Sequence, residues 1–132
     1  MRWVCLLLLL GCDDGAGEEV DPNFADNCSP LYPVEFDNLH SRTLLPNCAN
    51  SGCHSGDAPS AGLDYTTANG AYEALMGDGS GTRYVVPGDQ VGSVLIQRLE
   101  ASNPSRAMPP GKILSEEERC VFHQWVAGGG SR

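Results

Sequence analysis

Basic residues are scarce in this sequence, which contains eight Lys and Arg against 17 Asp and Glu and has a formal net charge of −9 at pH 7. This balance argues against a nucleic-acid partner, because affinity for phosphate backbones depends on clustered positive charge. The longest apolar run, near the N-terminus, is too short to cross a bilayer as a helix. The sequence also lacks an obvious nucleophile with its base, so we predict no catalytic site.

Glycine and proline are abundant instead, with 16 and 9 residues among 132. They predict many turns and little regular structure. A chain of this length builds one domain with a small core, and a loop-rich fold of that size usually needs an additional covalent link to be stable. Disulfide bonds or a covalently bound cofactor could supply it.

The first twelve residues place Arg2 before a short apolar run that closes on Leu-Leu-Gly-Cys. This pattern resembles a bacterial lipoprotein signal, and it predicts that residues 1–11 are removed as a signal peptide. Cys12 would then be acylated and would anchor the exported chain to a membrane. We expect the protein on the periplasmic side of a Gram-negative-type envelope. A wrongly assigned start or a crude membrane anchor is the alternative explanation.

Residues 12–27 contain six acidic residues, no Lys or Arg and almost no large apolar side chains. This composition is typical of a solvated segment that buries too little apolar surface to fold. We therefore predict a flexible tether over residues 12–27 and a folded domain over residues 28–132.

Apolar periodicity predicts a mainly α-helical domain with long loops. Phe36, Leu39, His40 and Leu44 belong to a stripe at helical spacing, and Pro46 is expected to end this first helix. His40 lies on the stripe, where a core histidine is the expected role and a ligand of a bound cofactor the alternative.

Local signals predict three more helices. Residues 71–76 precede Gly77, which should stop a short helix, and Ser93 can cap the next one. Ser115 with Glu118 makes a capping box for the last helix. His123 falls away from the apolar face of that helix and is predicted to lie at the surface. The apolar face consists of Val121, Phe122, Trp125 and Val126.

The segment Cys48-Ala-Asn-Ser-Gly-Cys53-His54 carries the strongest chemical signal. The two thiols could add across the two vinyl groups of a haem, and His54 could ligate its iron from one side. The common attachment signature is C-x-x-C-H, whereas the spacer here has four residues. We therefore interpret the segment as a haem-attachment motif with a widened spacer.

Met108 is the candidate for a second iron ligand. It lies in a loop where Pro109 and Pro110 restrict the conformations that the thioether must search. A thioether favours reduced iron relative to a second imidazole and so raises the reduction potential. A gap-filling core side chain is the alternative role. Three arginines are candidates for pairing with the haem propionates: Arg83, Arg98 and Arg106.

The order of these motifs resembles the class I cytochrome c fold, and within it the planctomycete-type cytochrome c domains of exported bacterial proteins. The resemblance runs from about residue 34 to residue 130, through NCANSGCH, AGLDY, VVPGDQVGSVLIQRL, MPPGKILSEEE and QWVAGGG. It implies a small helical fold around one covalently bound haem c. By the resemblance, Cys48 and Cys53 carry the thioethers. His54 is then the proximal ligand and Met108 the distal one.

The same resemblance implies that Tyr84 and Val85 line the haem pocket. It implies one-electron transfer to or from a redox partner protein, with the domain acting as a carrier or as an electron inlet to a separate enzyme. The alternative function is a cofactor-free envelope lipoprotein, stabilised by disulfides, with a binding or structural role.

Other roles are open for the thiol motif. Cys48 and Cys53 could close a small disulfide loop, since exported proteins meet an oxidising environment. A structural zinc site with Cys48, Cys53, His54 and a fourth ligand is a further alternative.

Cys28 and Cys120 are the remaining cysteines of the predicted domain. On the last helix, Cys120 lies nearly opposite the apolar face and should point outward. Export and this outward position together favour a disulfide between Cys28 and Cys120, and two unpaired thiols are the alternative.

Overall fold

The computed structural model describes residues 20–77 and 83–132. Within these ranges the fold is helical, and the extended pairing consists of one isolated bridge between Val86 and Asp89. This confirms the predicted fold class. The helices are α1 (Phe24–Asn27), α2 (Phe36–Leu39), a π-helical turn (His40–Leu44), α3 (Leu45–Cys48), a 3₁₀ turn (Ser60–Gly62), α4 (Ala68–Met76), α5 (Val94–Leu99) and α6 (Glu116–Ala127). No helix in the described ranges is long and apolar enough to cross a membrane.

The first helical stretch continues past Pro46, so the prediction that this proline ends the helix is wrong. Pro46 lies in the first turn of α3, directly after the π-helical turn, where the Leu45 N–H donates to the His40 carbonyl. A proline inside an α-helix clashes with the carbonyl four residues earlier. The wider π turn changes the local spacing at that point, and the helix reaches Cys48.

The capping box of α6 is confirmed. The Glu118 N–H donates to Ser115 Oγ at 3.1 Å, and the Ser115 N–H donates to Glu118 Oε2 at 2.9 Å. These two bonds satisfy amides that have no partner within the helix. They fix where α6 begins and therefore which of its residues face the core.

Ser93 occupies the residue before α5, yet its hydroxyl does not cap that helix. It donates to the Asp89 carbonyl at 2.6 Å and accepts the Val86 N–H at 2.9 Å. The fully buried hydroxyl therefore ties the Pro87-Gly88 turn to the start of α5. The predicted role as a cap is wrong, because the hydroxyl is engaged by these backbone groups of the turn instead.

Aromatic side chains pack the last helix against the first stretch. The ring of Phe36 lies 5.1 Å from those of both Tyr72 and Trp125, measured between centroids. The Tyr72 hydroxyl donates to the Gly130 carbonyl at 3.0 Å, which fixes the chain after α6. His40 is buried in this region and its Nε2 lies 2.8 Å from the Tyr65 carbonyl, as expected of a core histidine.

Residues 20–27 belong to the folded part, although the sequence predicts a tether up to residue 27. Val20 is only 3% exposed, and Gln124 Nε2 donates to the Ala25 carbonyl at 3.0 Å. The Phe24 ring lies 4.4 Å from the ring of His123 on α6. The composition of the segment is that of a solvated chain, but its few apolar residues find a complementary face. The predicted signal peptide, Cys12 and the rest of the tether lie outside the described residues.

The predicted disulfide between Cys28 and Cys120 is present, with the two Cα atoms 5.8 Å apart. It joins residues separated by 92 positions and fastens the end of α1 to α6. Cys120 is fully buried instead of pointing outward, because α1 covers that side of α6.

His123 is also fully buried, so the prediction of a surface histidine is wrong. Its Nδ1 lies 2.6 Å from Gln90 Oε1 and its Nε2 lies 3.1 Å from Glu100 Oε1. The other oxygen of Glu100 is hydrogen-bonded by Arg119. This polar cluster of Gln90, Glu100, Arg119 and His123 joins α6 to the end of α5 beneath α1.

Candidate haem site

A cavity of about 290 Å³ lies between α3, the loop that follows it, α5, the Met108 loop and α6. Its walls are largely apolar and include Leu44, Leu63, Leu75, Leu95, Leu99 and Phe122. The polar groups among its lining residues are few. Such a cavity suits a flat, mostly apolar ligand held by a small number of specific contacts.

The two candidate thiols both line this cavity, and both are free cysteines. Cys48 is the last residue of α3, and Cys53 lies in the loop directly after it. The His54 N–H donates to the Cys48 carbonyl at 3.1 Å, and the Cys53 N–H donates to the Asn50 carbonyl at 2.9 Å. These bonds close the segment into a compact loop, and the disulfide between Cys48 and Cys53 is not formed.

The widened spacer bulges into solvent. Asn50, Ser51 and Gly52 are exposed, whereas the cysteines on either side are partly buried. Gly52 has φ = +82°, a conformation that favours glycine. The additional spacer residues therefore leave both thiols and His54 at the same cavity.

Burial raises the pKa of the Cys48 thiol to about 11, with the neighbouring Cys53 adding to this effect and Lys112 opposing it. Cys48 therefore presents a neutral S–H group to the cavity at pH 7.

His54 is held by backbone and ring contacts. Its Nδ1 lies 3.2 Å from the Leu63 carbonyl, and because a carbonyl can only accept, Nδ1 carries the proton of the neutral ring. The bare Nε2 is then available as a ligand. The His54 ring lies 4.7 Å from the ring of Tyr65, whose N–H donates to the His54 carbonyl at 2.9 Å.

Met108 lines the same cavity and is 36% exposed. Its N–H donates to the Arg98 carbonyl of α5 at 2.9 Å. Further along the loop, Lys112 Nζ donates to Asn47 Oδ1 on α3. The Met108 loop is therefore attached both to α5 and to the helix that ends at Cys48.

The donor set fits a haem. Two thiols, one imidazole with a bare nitrogen and one thioether line a single apolar cavity, which is the combination that a covalently attached, His/Met-ligated haem needs. Within the described ranges, no group of three His, Cys, Asp or Glu side chains is arranged so that it could hold a metal ion.

The predicted pocket residues divide into two groups. Tyr84 and Arg98 line the cavity, whereas Val85 is fully buried in the apolar core instead. The expectation that Val85 lines the pocket is thus not met. The N–H groups of Tyr84 and Val85 both donate to the Leu75 carbonyl, and the Val85 side chain packs in the core. Arg83 is exposed, which leaves Arg98 as the cavity-lining candidate among the three arginines.

Tyr65 and Leu63 are functional candidates that motif reading did not single out. Leu63 supplies the carbonyl that orients His54, and Tyr65 is buried beside the imidazole. Burial raises the pKa of Tyr65, with Cys48 and Tyr84 adding to the effect, so its hydroxyl stays neutral. The sequence signal that could have identified them is the AGLDY segment, in which Leu63 and Tyr65 follow His54 by nine and eleven residues.

The described residues form a small helical domain with a cavity whose lining is compatible with a haem. Residues 51–112 match the family described as planctomycete cytochrome C, and this match confirms the family resemblance. The matched segment includes Cys53, His54 and Met108 and begins after Cys48. It supports haem binding and a c-type cytochrome role, as an electron carrier more than as an enzyme. No curated protein and no solved structure matches the chain.

Proposed function

We propose that this protein is a c-type cytochrome that transfers single electrons through one haem, attached to Cys48 and Cys53 and ligated by His54 and Met108. The observation that carries the proposal is the convergence of these four side chains on one apolar cavity. When bound, the haem supplies an iron centre that alternates between two valences.

The chain's own residues have distinct tasks in this proposal. The Leu63 carbonyl orients His54 and fixes its tautomer, so Nε2 is the ligating atom. The Met108 thioether raises the reduction potential relative to a second imidazole. The apolar walls exclude water and lower the local dielectric, which reduces the reorganisation of solvent when the charge of the site changes.

Two protein ligands would leave the iron no open position, which argues for electron transfer and against catalysis of a substrate reaction. The partner is then another redox protein, which receives or supplies the electron. A domain of this kind could also serve as the electron inlet of a separate enzyme.

The location of the protein is a further part of the proposal. We infer that it is exported and anchored by an acylated Cys12 on the periplasmic side of an envelope membrane. The N-terminal sequence supports this, and so does the disulfide between Cys28 and Cys120, since disulfides persist in oxidising compartments.

Covalent attachment is tested by expression with a cytochrome c maturation system, followed by intact mass measurement after denaturation. We expect a mass gain of one haem, and a pyridine haemochrome spectrum typical of two thioether bonds. Cys48→Ala and Cys53→Ala should each shift that spectrum toward a single thioether, and the double variant should lose covalent haem. A colourless, folded product would instead favour the cofactor-free lipoprotein.

Lipid anchoring has its own test. The full chain should partition into the membrane fraction of a host with lipoprotein processing, because an acyl anchor adds apolar surface that seeks the bilayer. Cys12→Ser should move the protein to the soluble fraction without changing its haem content. Membrane retention of this variant would contradict acylation at Cys12.

A further inference from the structure

The backbone before Met108 forms a tight turn that follows α5. The N–H groups of Arg106 and Ala107 both donate to the Asn103 carbonyl at 2.9 Å. These local bonds shape the turn, but they do not connect it to the cavity. Arg98 of α5 contacts this turn directly.

Arg98 holds the turn at two points. Its backbone carbonyl accepts the Met108 N–H at 2.9 Å, and its guanidinium Nη1 donates to the Arg106 carbonyl at 3.3 Å. One residue of α5 therefore binds the chain on both sides of Ala107. These two bonds constrain φ and ψ of Ala107. They therefore also constrain the direction in which the Met108 side chain points.

Arg98 is also well placed to be rigid. It lies in the last turn of α5 between Ile96 and Leu99, both of which are buried, and its own side chain is partly buried at the cavity. The planar guanidinium presents its donors in a fixed fork, whereas a lysine in the same place would offer a mobile point charge.

We propose that Arg98 is a positioning residue that holds Met108 in place as an iron ligand. The inference rests on the proposed function, because it assumes that Met108 ligates the iron. Arg98 acts on the backbone of the Met108 loop and need not touch the iron or its ligand atoms.

If Arg98 had a purely electrostatic role, its variants should behave differently. If Arg98 served only to compensate the haem carboxylates, its positive charge would matter and its geometry would not. Arg98→Lys keeps the charge and loses the fork, whereas Arg98→Met removes both and keeps an unbranched stem along the cavity. Arg83→Met is the control, since Arg83 is exposed and lies outside the cavity lining.

The experiment uses the haem-loaded proteins. The near-infrared band of a thioether on ferric haem reports Met108 ligation, and the rate of imidazole binding reports how easily Met108 leaves the iron. In Arg98→Met we expect a weakened band and imidazole binding faster by about tenfold, the effect of losing one hydrogen bond from a charged donor. Arg98→Lys should show the same changes to a smaller extent, and Arg83→Met none.

Hydrogen exchange supplies a readout that does not depend on the iron. Amides of residues 106–112 should exchange faster in both Arg98 variants, while those of α6 keep the parent rate. If Arg98→Met gives no folded product, Arg98→Lys decides the question. The positioning role would be overturned if Arg98→Lys kept the near-infrared band, the imidazole-binding rate and the hydrogen-exchange rates of the parent. If Arg98→Met had a lowered reduction potential and an unchanged band, Arg98 would have the electrostatic role instead.

The parent protein separates this inference from the proposed function. If the parent lacks the near-infrared band, the ligand assignment of Met108 fails and the inference fails with it. If the parent has the band and both Arg98 variants keep it at full strength, the proposed function stands and only the inference is overturned.

Discussion

Met108 is the residue to which the proposed redox chemistry should be most sensitive. Met108→Ala removes the thioether and opens the iron to water or other ligands. We expect the near-infrared band to disappear and the reduction potential to fall, because the thioether favours reduced iron. Spectroscopy of the oxidised protein and a redox titration measure both effects.

Met76 offers the matched control for this experiment. It is partly buried at the end of α4, packs against the core and is not among the residues that line the cavity. Met76→Leu conserves volume and should leave both the band and the potential unchanged. A full band in Met108→Ala would show that the sixth ligand is another group.

At the residue scale, residues with distinctive chemistry could be predicted from the sequence, whereas residues whose environment depends on packing could not. The thiols, His54 and Met108 stand out by type and spacing, and all four line the cavity. The burial of His123 could not be predicted from residue type or spacing. Its environment comes from Glu100 and from α1, and neither is near it along the chain.

At the scale of elements, α6 and α5 are joined by the polar cluster around Glu100. Burial opposes ionisation of this carboxyl, but the hydrogen bond from His123 and the positive charge of Arg119 outweigh it, so the pKa of Glu100 lies below its ordinary value. A carboxyl with a lowered folded-state pKa stabilises the fold above its unfolded pKa. That contribution is lost as the pH falls through the folded pKa.

We therefore expect acid to weaken the junction between α5 and α6. Urea unfolding of the parent should show a falling free energy of unfolding as the pH drops below about 4.3, where glutamate titrates in an unfolded chain. Glu100→Gln should be less stable at neutral pH and should lose less stability in acid than the parent. Glu73→Gln, at an exposed position on α4, should follow the parent curve.

An equal loss of stability in acid for the parent and for Glu100→Gln would contradict this account. It would place the acid-sensitive groups elsewhere, for example at Asp64 or Glu117. The pKa values of these carboxyls are also lowered, chiefly by a hydrogen bond from the Thr66 side chain for Asp64 and by a backbone hydrogen bond for Glu117.

Helix prediction succeeded where the signal is local. The capping box of α6 and the stop at Gly77 depend on residues a few positions apart, and both agree with the structure. The π-helical turn before Pro46 and the role of the Ser93 hydroxyl escaped prediction. Both depend on how the backbone adjusts to neighbouring groups, which periodicity does not contain.

At the scale of the whole molecule, the disulfide between Cys28 and Cys120 closes the longest covalent loop that the described residues show, with a separation of 92. In the chain-entropy model a loop of this length stabilises the fold by about 4.7 kcal/mol. The double variant Cys28→Ala/Cys120→Ala should therefore unfold at clearly lower urea concentration than the parent. Equilibrium unfolding followed by circular dichroism measures the difference.

Reduction of the parent provides an independent control for the disulfide. In a haem-loaded protein with two thioethers, Cys28 and Cys120 hold the reducible bond of the described domain, so a reductant should lower stability to the level of the double variant. Equal stability of the parent and the double variant would mean that packing of α1 alone, through Phe24 and Ala25, holds the N-terminal segment in place.

The N-terminal segment shows why the domain boundary could not be predicted. The acidic composition describes the average property of many residues, whereas residues 20–27 need only a few apolar contacts to pack against the folded domain. Val20 and Phe24 supply them, and the complementary face on α6 exists only once the rest of the chain has folded. The family resemblance was thus accessible from the motifs, whereas the docking of residues 20–27 was not.

Because Val20 is already buried in the core, the proposed acyl group on Cys12 would lie at most eight peptide units from the folded body. Eight residues stretch to about 28 Å at most. With such an anchor, a redox protein embedded in the same membrane would be within reach of the domain without a soluble intermediary.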